Sequence, residues 1–205
     1  MVSRLVSSAV ALLAMLLLAG CTPAILTQAK APSSLLLEAE PRVSAAPRRT
    51  GHTLMVAAPE AQAGFDGQRI AYTKTPLTLD YYTQSEWADT PARMLSPLVV
   101  RTLESTGALR AVVSAPAPVP IELRLDLQLL RLQQEFFRKP SEVRLELRAK
   151  LFDVRRGQVL ATRVIETVAP APSEDAYGGA RAASQATAAA LEELAAFVVA
   201  SLPPG

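Results

Sequence analysis

The chain has 205 residues, half of them apolar, with 21 Lys and Arg against 19 Asp and Glu. That is one domain's worth of chain with a near-neutral balance, which argues against a nucleic-acid partner, since phosphate binding needs clustered cations. A single Cys excludes an intrachain disulfide, and a single His leaves little for metal binding or acid–base work.

Residues 1–20 place Arg4 ahead of the apolar run 5–20. That run has the length of a signal-peptide core and falls short of the roughly 20 apolar residues of a membrane span. It closes on Leu18-Ala19-Gly20-Cys21, small residues before a Cys whose thiol can take a diacylglycerol. Residues 1–20 are therefore expected to be a lipoprotein signal peptide, with Cys21 the acylated start of the mature chain. Two or three acyl chains, at about 0.8 kcal/mol per buried methylene, would hold it stably to a bilayer. Residues 21–33 are Pro-, Ala- and Thr-rich without periodicity and read as a tether, able to span up to about 40 Å when extended. Residues 34–205 read as a single domain.

Within it, Ser34–Glu38 predicts a short strand, and 41–52, punctuated by prolines and Gly51 and carrying Arg42, Arg48 and Arg49, an exposed loop. Thr53–Ala57 predicts a second strand and 58–68 a loop. Arg69–Thr73 and Leu77–Tyr82 predict a hairpin around Lys74-Thr75-Pro76. Thr90 can cap a helix with its hydroxyl, and Pro91 suits the first helical position. Met94, Leu95, Leu98, Val99 and Leu103 then form one apolar stripe, and Gly107 ends the helix. Pro97 conflicts with that helix, which either kinks there or begins at Ser96-Pro97.

Leu109–Val113 predicts another short strand and 114–120 a stiff Pro-rich loop. From Ile121 to Leu129 apolar residues alternate with Glu122, Arg124, Asp126 and Gln128, giving one dry and one wet face. At Leu129-Leu130 the phase slips, which predicts a bulge or bend. Lys139-Pro140-Ser141 turns the chain into a second alternating run, 142–151, and Arg155-Arg156-Gly157 into a third, Gln158–Val168. The charged residues on the wet faces are placed to pair across strands. Residues 169–179 read as a loop and Ala180–Ser201 as an Ala-rich helix burying Ala183, Ala186, Ala190, Leu194, Phe197 and Val198. The fold class expected is α+β: an antiparallel or mixed sheet with long C-terminal meander strands and two main helices packed on it.

The succession Tyr72, Tyr81-Tyr82, Trp87-Ala88-Asp89, Pro91, Met94-Leu95 and a short strand after Gly107 resembles the ABC-type transport auxiliary lipoprotein family. Its best-known members are PqiC-like outer-membrane lipoproteins that accompany MCE lipid transport systems. The resemblance covers roughly residues 33–202. It implies a lipid-anchored accessory subunit facing the periplasm from the outer membrane. The partners it implies are an MCE-domain periplasmic protein of an ABC transporter, the outer membrane through the acyl chains, and further copies of the chain as a homo-oligomer. Thr22 after Cys21 carries no Asp-type signal for inner-membrane retention, in keeping with that location. One detail departs from the family: its members usually carry a Trp near the end of the last helix, where Phe197 is the nearest large aromatic in this chain.

No site for chemistry emerges. None of the four lysines follows a glycine, so there is no phosphate-binding Gly-Lys motif, and a Ser–His–Asp triad could use only His52 in its Pro/Arg loop. Glu192 and Glu193 diverge by roughly 100° on a helix, which suits solvent. The chain is expected not to be an enzyme and to carry no cofactor or metal. The residues singled out are Cys21 for lipidation and a corner made by Tyr72, Tyr81, Tyr82, Trp87, Asp89, Pro91 and Met94. Trp87 is either part of the core or an anchor for a partner, and Asp89 is expected to complement the start of the helix. A rival reading of the whole is an outer-membrane assembly lipoprotein that binds a barrel protein or lipopolysaccharide.

Overall fold

A computed structural model of the chain describes residues 31–46 and 48–204. The expected leader, Cys21 and most of the tether lie outside the described residues. Nine strands are present among those described: β1 (Ser33–Leu35), β2 (Thr53–Val56), β3 (Glu60–Ala61), β4 (Arg69–Thr73), β5 (Asp80–Trp87), β6 (Ala111–Ser114), β7 (Leu123–Glu135), β8 (Glu142–Asp153) and β9 (Gln158–Pro170). Two helices, α1 (Pro91–Ser105) and α2 (Ala176–Ala200), complete the α+β fold.

The alternation of Leu with charged and amide residues builds the meander β7–β8–β9, antiparallel throughout. Leu123, Leu125, Leu127 and Leu129 of β7 and Val143, Leu145, Leu147, Ala149 and Leu151 of β8 are all buried on one face. The phase slip foreseen at Leu129-Leu130 is a register shift between Leu129 and Arg131, after which Leu132 and Gln134 turn inward. The other edge of β7 is shared end to end by three short parallel partners. β2 lies against Leu123–Leu125, β3 against Gln128–Leu129 and β4 against Gln133–Glu135. Beyond β2 the sheet continues to β6, and beyond β4 to β5 and then β1.

Both helices contribute to one core over the dry face. Leu95, Leu98, Val99 and Leu103 of α1 join Ala183, Ala186, Ala190, Leu194, Phe197 and Val198 of α2 against the leucines of β7 and β8. The run of alanines brings the α2 backbone close to the sheet. Helix α1 begins at Pro91 and runs through Pro97. Pro97 and Arg93 are both exposed, so the Arg93 carbonyl that Pro97 leaves without a donor faces water. Gly107 follows the helix at φ +64°, the left-handed conformation its end requires.

Several expectations are corrected. The loop foreseen over 58–68 contains β3, too short to show periodicity. The strand foreseen at Leu77–Tyr82 starts at Asp80 and runs on to Trp87, because the connection after β4 takes in Leu77, whose φ of +66° is incompatible with a strand. Thr90 precedes α1 without a side-chain cap; instead Asp89 Oδ1 accepts the Thr90 amide at 2.7 Å. The loop foreseen over 169–179 is mostly ordered structure. β9 continues to Pro170, and α2 starts at Ala176, where Asp175 caps it by accepting the Gly178 amide at 2.7 Å.

Candidate functional site

The seven corner residues fall into two groups at opposite ends of β5. At its start, β4 and β5 pair as a hairpin with Tyr72 opposite Asp80 and Ala71 opposite Tyr81. Alternation sends Tyr81 and Tyr82 to opposite faces. Tyr82 meets Tyr72 with ring centroids 4.8 Å apart, and Tyr72 meets Phe136 edge-on at 5.9 Å. On the other face the Tyr81 hydroxyl donates to the Gly64 carbonyl at 3.0 Å, and the Arg69 guanidinium lies 3.8 Å over its ring. Five residues on, about 17 Å along the strand, Trp87 is only 2% exposed and packs in the core. Its amide donates to Gln68 and the next amide to Leu35, so the Trp end of β5 is pinned by β1 and the 62–68 loop. Asp89 pairs with Arg93 at 3.1 Å beside the start of α1, Pro91 is buried at its first position, and Met94 is half-buried against the core.

Beneath Tyr82 lies a polar cluster that the sequence reading missed. The Tyr82 hydroxyl donates to Gln134 Oε1 at 2.9 Å, and Gln134 Nε2 donates to Ser141 Oγ at 2.8 Å. The Ser141 amide donates to Glu174 at 2.8 Å, and the Ser141 carbonyl accepts the Ala171 amide. Gln134 and Ser141 are buried, bonded to each other and tied to Tyr82, Glu174 and Ala171. A Cβ on Gly179 would stand 2.3 Å from Gln134 Oε1, so α2 approaches β7 closely only because that position is glycine. Burial pushes the Tyr82 phenol up to about 12, helped by the nearby Asp175, Tyr72 and Glu174. The Gly178 amide, with Ser173, holds the Asp175 carboxyl below its ordinary range. The signal was available: once the phase slips at Leu129-Leu130, Gln134 occupies a dry-face position.

On the uncovered face of the meander, charges pair across strands. Arg131 meets Glu146 at 3.4 Å, and Arg144 meets Glu135 at 3.2 Å and also Glu166 and Glu142. Arg148 donates to Gln128 at 2.9 Å. Burial opposes the Arg144 charge, but Glu135 and Glu166 outweigh it and hold the guanidinium more firmly protonated than usual. Among the described residues β9 pairs only with β8, leaving its outer edge open, with Val159, Val164 and Val168 exposed along it. No group of three or more His, Cys, Asp or Glu side chains among the described residues is placed to hold a metal ion, and no helix among them is long and apolar enough to cross a membrane.

The arrangement is thus a filled core, an ion-paired sheet face and an open strand edge, which offers surfaces for docking. A protein of Xanthomonas campestris has a similar solved structure, 26% identical with a TM-score of 0.74, covering 82% of this chain and 96% of that one. A hypothetical protein of Chlamydia trachomatis, 11% identical, shares the fold with a TM-score of 0.53 over 74% of this chain and 98% of its own. No curated protein matches the sequence. The family model for the ABC-type transport auxiliary lipoprotein component matches residues 35–195, nearly the whole of the folded part, and the chain belongs to that family.

Proposed function

We infer that the protein is a non-catalytic, lipid-anchored accessory subunit of an envelope ABC transport system. It is held at the outer membrane through Cys21 and links an MCE-domain periplasmic protein to that membrane, supporting lipid traffic and membrane integrity. The observation that carries this reading is the order of parts along the chain. A leader ending in Leu18-Ala19-Gly20-Cys21 is followed, after a short Pro/Ala-rich segment, by the auxiliary-lipoprotein domain over residues 35–195. The geometry supports docking over catalysis. The carboxylates of the open sheet face are engaged with arginines, and among the described residues β9 presents an unpaired edge of the kind that accepts a partner strand.

The test is purification of the full, lipidated chain from envelopes in mild detergent, with identification of what accompanies it. An MCE-domain protein with its permease and ATPase is the expected result. Recovery of a barrel protein or lipopolysaccharide in their place would favour the assembly-lipoprotein reading and refute this one. Cys21→Ala is expected to abolish acylation and release the protein from the membrane, read by mass spectrometry and fractionation.

A further inference from the structure

Two loops leave the sheet side by side at one end of the domain: residues 74–79 between β4 and β5, and residues 136–141 between β7 and β8. β4 and β7 run parallel with Thr73 opposite Glu135, and the Phe136 amide donates to the Thr73 carbonyl at 2.9 Å. At the tip of the first loop Leu77 is fully exposed, at 107% of its reference area, with a φ of +66°. A branched apolar residue in left-handed backbone is uncommon, and one wholly in water contributes no burial to the fold. Leu79 and, on the second loop, Phe137 are also exposed, at 38% and 52%. Lys74 on the first loop and Arg138 and Lys139 on the second are exposed as well, and the two loops contain no carboxylate. The acids flanking the loops are Asp80, which opens β5, Glu142, whose contact with Arg138 is a loose 3.9 Å, Glu135, which precedes Phe136 and pairs with Arg144, and Glu174, which accepts the Ser141 amide.

The direction of the chain adds a second, independent observation. β1 is parallel to β5, with Ser33 opposite Ser85. β5 leads away from the 74–79 loop and so does β1, and Pro32, just ahead of Ser33, lines a groove with Leu79, Asp80 and Tyr81. Ten residues separate Cys21 from Pro32, a reach of at most about 35 Å.

We propose that this end of the domain rests on an anionic lipid surface, with Leu77 and Phe137 entering the headgroup layer and Lys74, Arg138 and Lys139 facing lipid phosphates. Exposed apolar side chains on loops that also carry exposed cations have the chemistry of an interfacial contact. Pro32, the residue ahead of β1, lies on the side of that strand that faces this end, and the acyl anchor of the function proposed above is attached eleven residues before it. The meander's wet face and the open β9 edge then stand free for a protein partner. The inference rests on the acylation of Cys21 in the function proposed above.

The full lipidated chain, carrying Leu77→Cys, Phe137→Cys or Val159→Cys labelled with nitrobenzoxadiazole, is reconstituted in vesicles of phosphatidylethanolamine and phosphatidylglycerol. Val159 serves as the reference because it pairs with Phe152, opposite Arg124 at the start of β7, and so lies at the far end of the sheet. The expected result is blue-shifted emission and a several-fold loss of iodide quenching for the probes at 77 and 137, with the probe at 159 remaining aqueous. Equal iodide quenching at all three sites on protein whose acyl mass is confirmed would overturn this inference and leave the anchor reading intact. Shielding at 159 to the same degree as at 77 would overturn it as well. A chain without acyl mass overturns both readings.

Discussion

Replacing Gly179 by Ala tests the contact between α2 and β7 most directly. In an ordinary helix interior the change stabilises by about 1 kcal/mol. Here the new methyl would stand 2.3 Å from Gln134 Oε1 and 3.1 Å from its Cδ, where ordinary contact begins at 3.4 Å. The amide must therefore retreat by about 1 Å. It is held at 2.9 Å by Tyr82 and 2.8 Å by Ser141, and Gln134 is 1% exposed, so water cannot replace a lost partner. Stranding a buried amide oxygen costs about 1–3 kcal/mol, and overpacking adds about 1–3 kcal/mol. Set against the helix gain, Gly179→Ala is expected to destabilise by about 2 kcal/mol, a fall in Tm of roughly 4–8 °C for a domain of this size. Urea and thermal melts in both the wild-type and Gln134→Ala backgrounds give the decisive cycle. With the amide removed, the methyl should become neutral or stabilising. A Gly179→Ala protein at least as stable as wild type would refute the close-approach argument.

Trp87→Ala is expected to cost about 3–5 kcal/mol, because the side chain is buried in the core; a melting curve within a degree or two of wild type would place Trp87 outside the core's energetics. Asp175→Ala should cost about 1 kcal/mol at neutral pH through loss of the cap. Because the folded carboxyl lies below its ordinary value of 3.8, that advantage is complete above this pH and disappears as pH falls through the folded value, so wild-type and variant stabilities should converge in acid. Tyr82 behaves in the opposite sense. Its folded pKa is raised from 10.0 to about 12, so its contribution is present below pH 10 and lost as pH rises towards 12. Tyr82→Phe should flatten that alkaline loss in pH-dependent urea melts.

The sequence made the meander legible because Leu125, Leu127 and Leu145, Leu147 alternate with charges over long runs, and because one slip at Leu129-Leu130 marked the bulge. The proline in α1 was ambiguous for a physical reason: whether a freed carbonyl is tolerated depends on which face meets water, and only the fold supplies that. Gly178 and Gly179 read as loop residues on propensity alone. Their place inside α2 is set by Ser173 and Gln134, which leave no room for a Cβ. The same dependence on distant partners hid β3 and the parallel pairings, since two or four residues carry no periodicity that could name a neighbour. Of the corner, the residue types were legible and the grouping was not: Tyr72 and Tyr82 meet, while Trp87, Asp89, Pro91 and Met94 belong to the far end of β5.

The sharing of one edge of β7 by β2, β3 and β4 governs the order in which the domain can assemble. Each of those strands waits for a partner some sixty to seventy residues later in the chain, with Leu54 opposite Leu123, Ala61 opposite Leu129 and Ala71 opposite Gln133. A chain made from its N-terminus can therefore pair β4 with β5 and β2 with β6 before the edge that joins them exists. β7, β8 and β9 are joined by short turns and pair locally, on the fast timescale of hairpins. They form the template, and the earlier strands are recruited onto it afterwards. Until Leu123–Glu135 has been made, β2, β3 and β4 lack that partner edge, which is the interval in which an escort protein would shield Leu54, Val56 and Ile70.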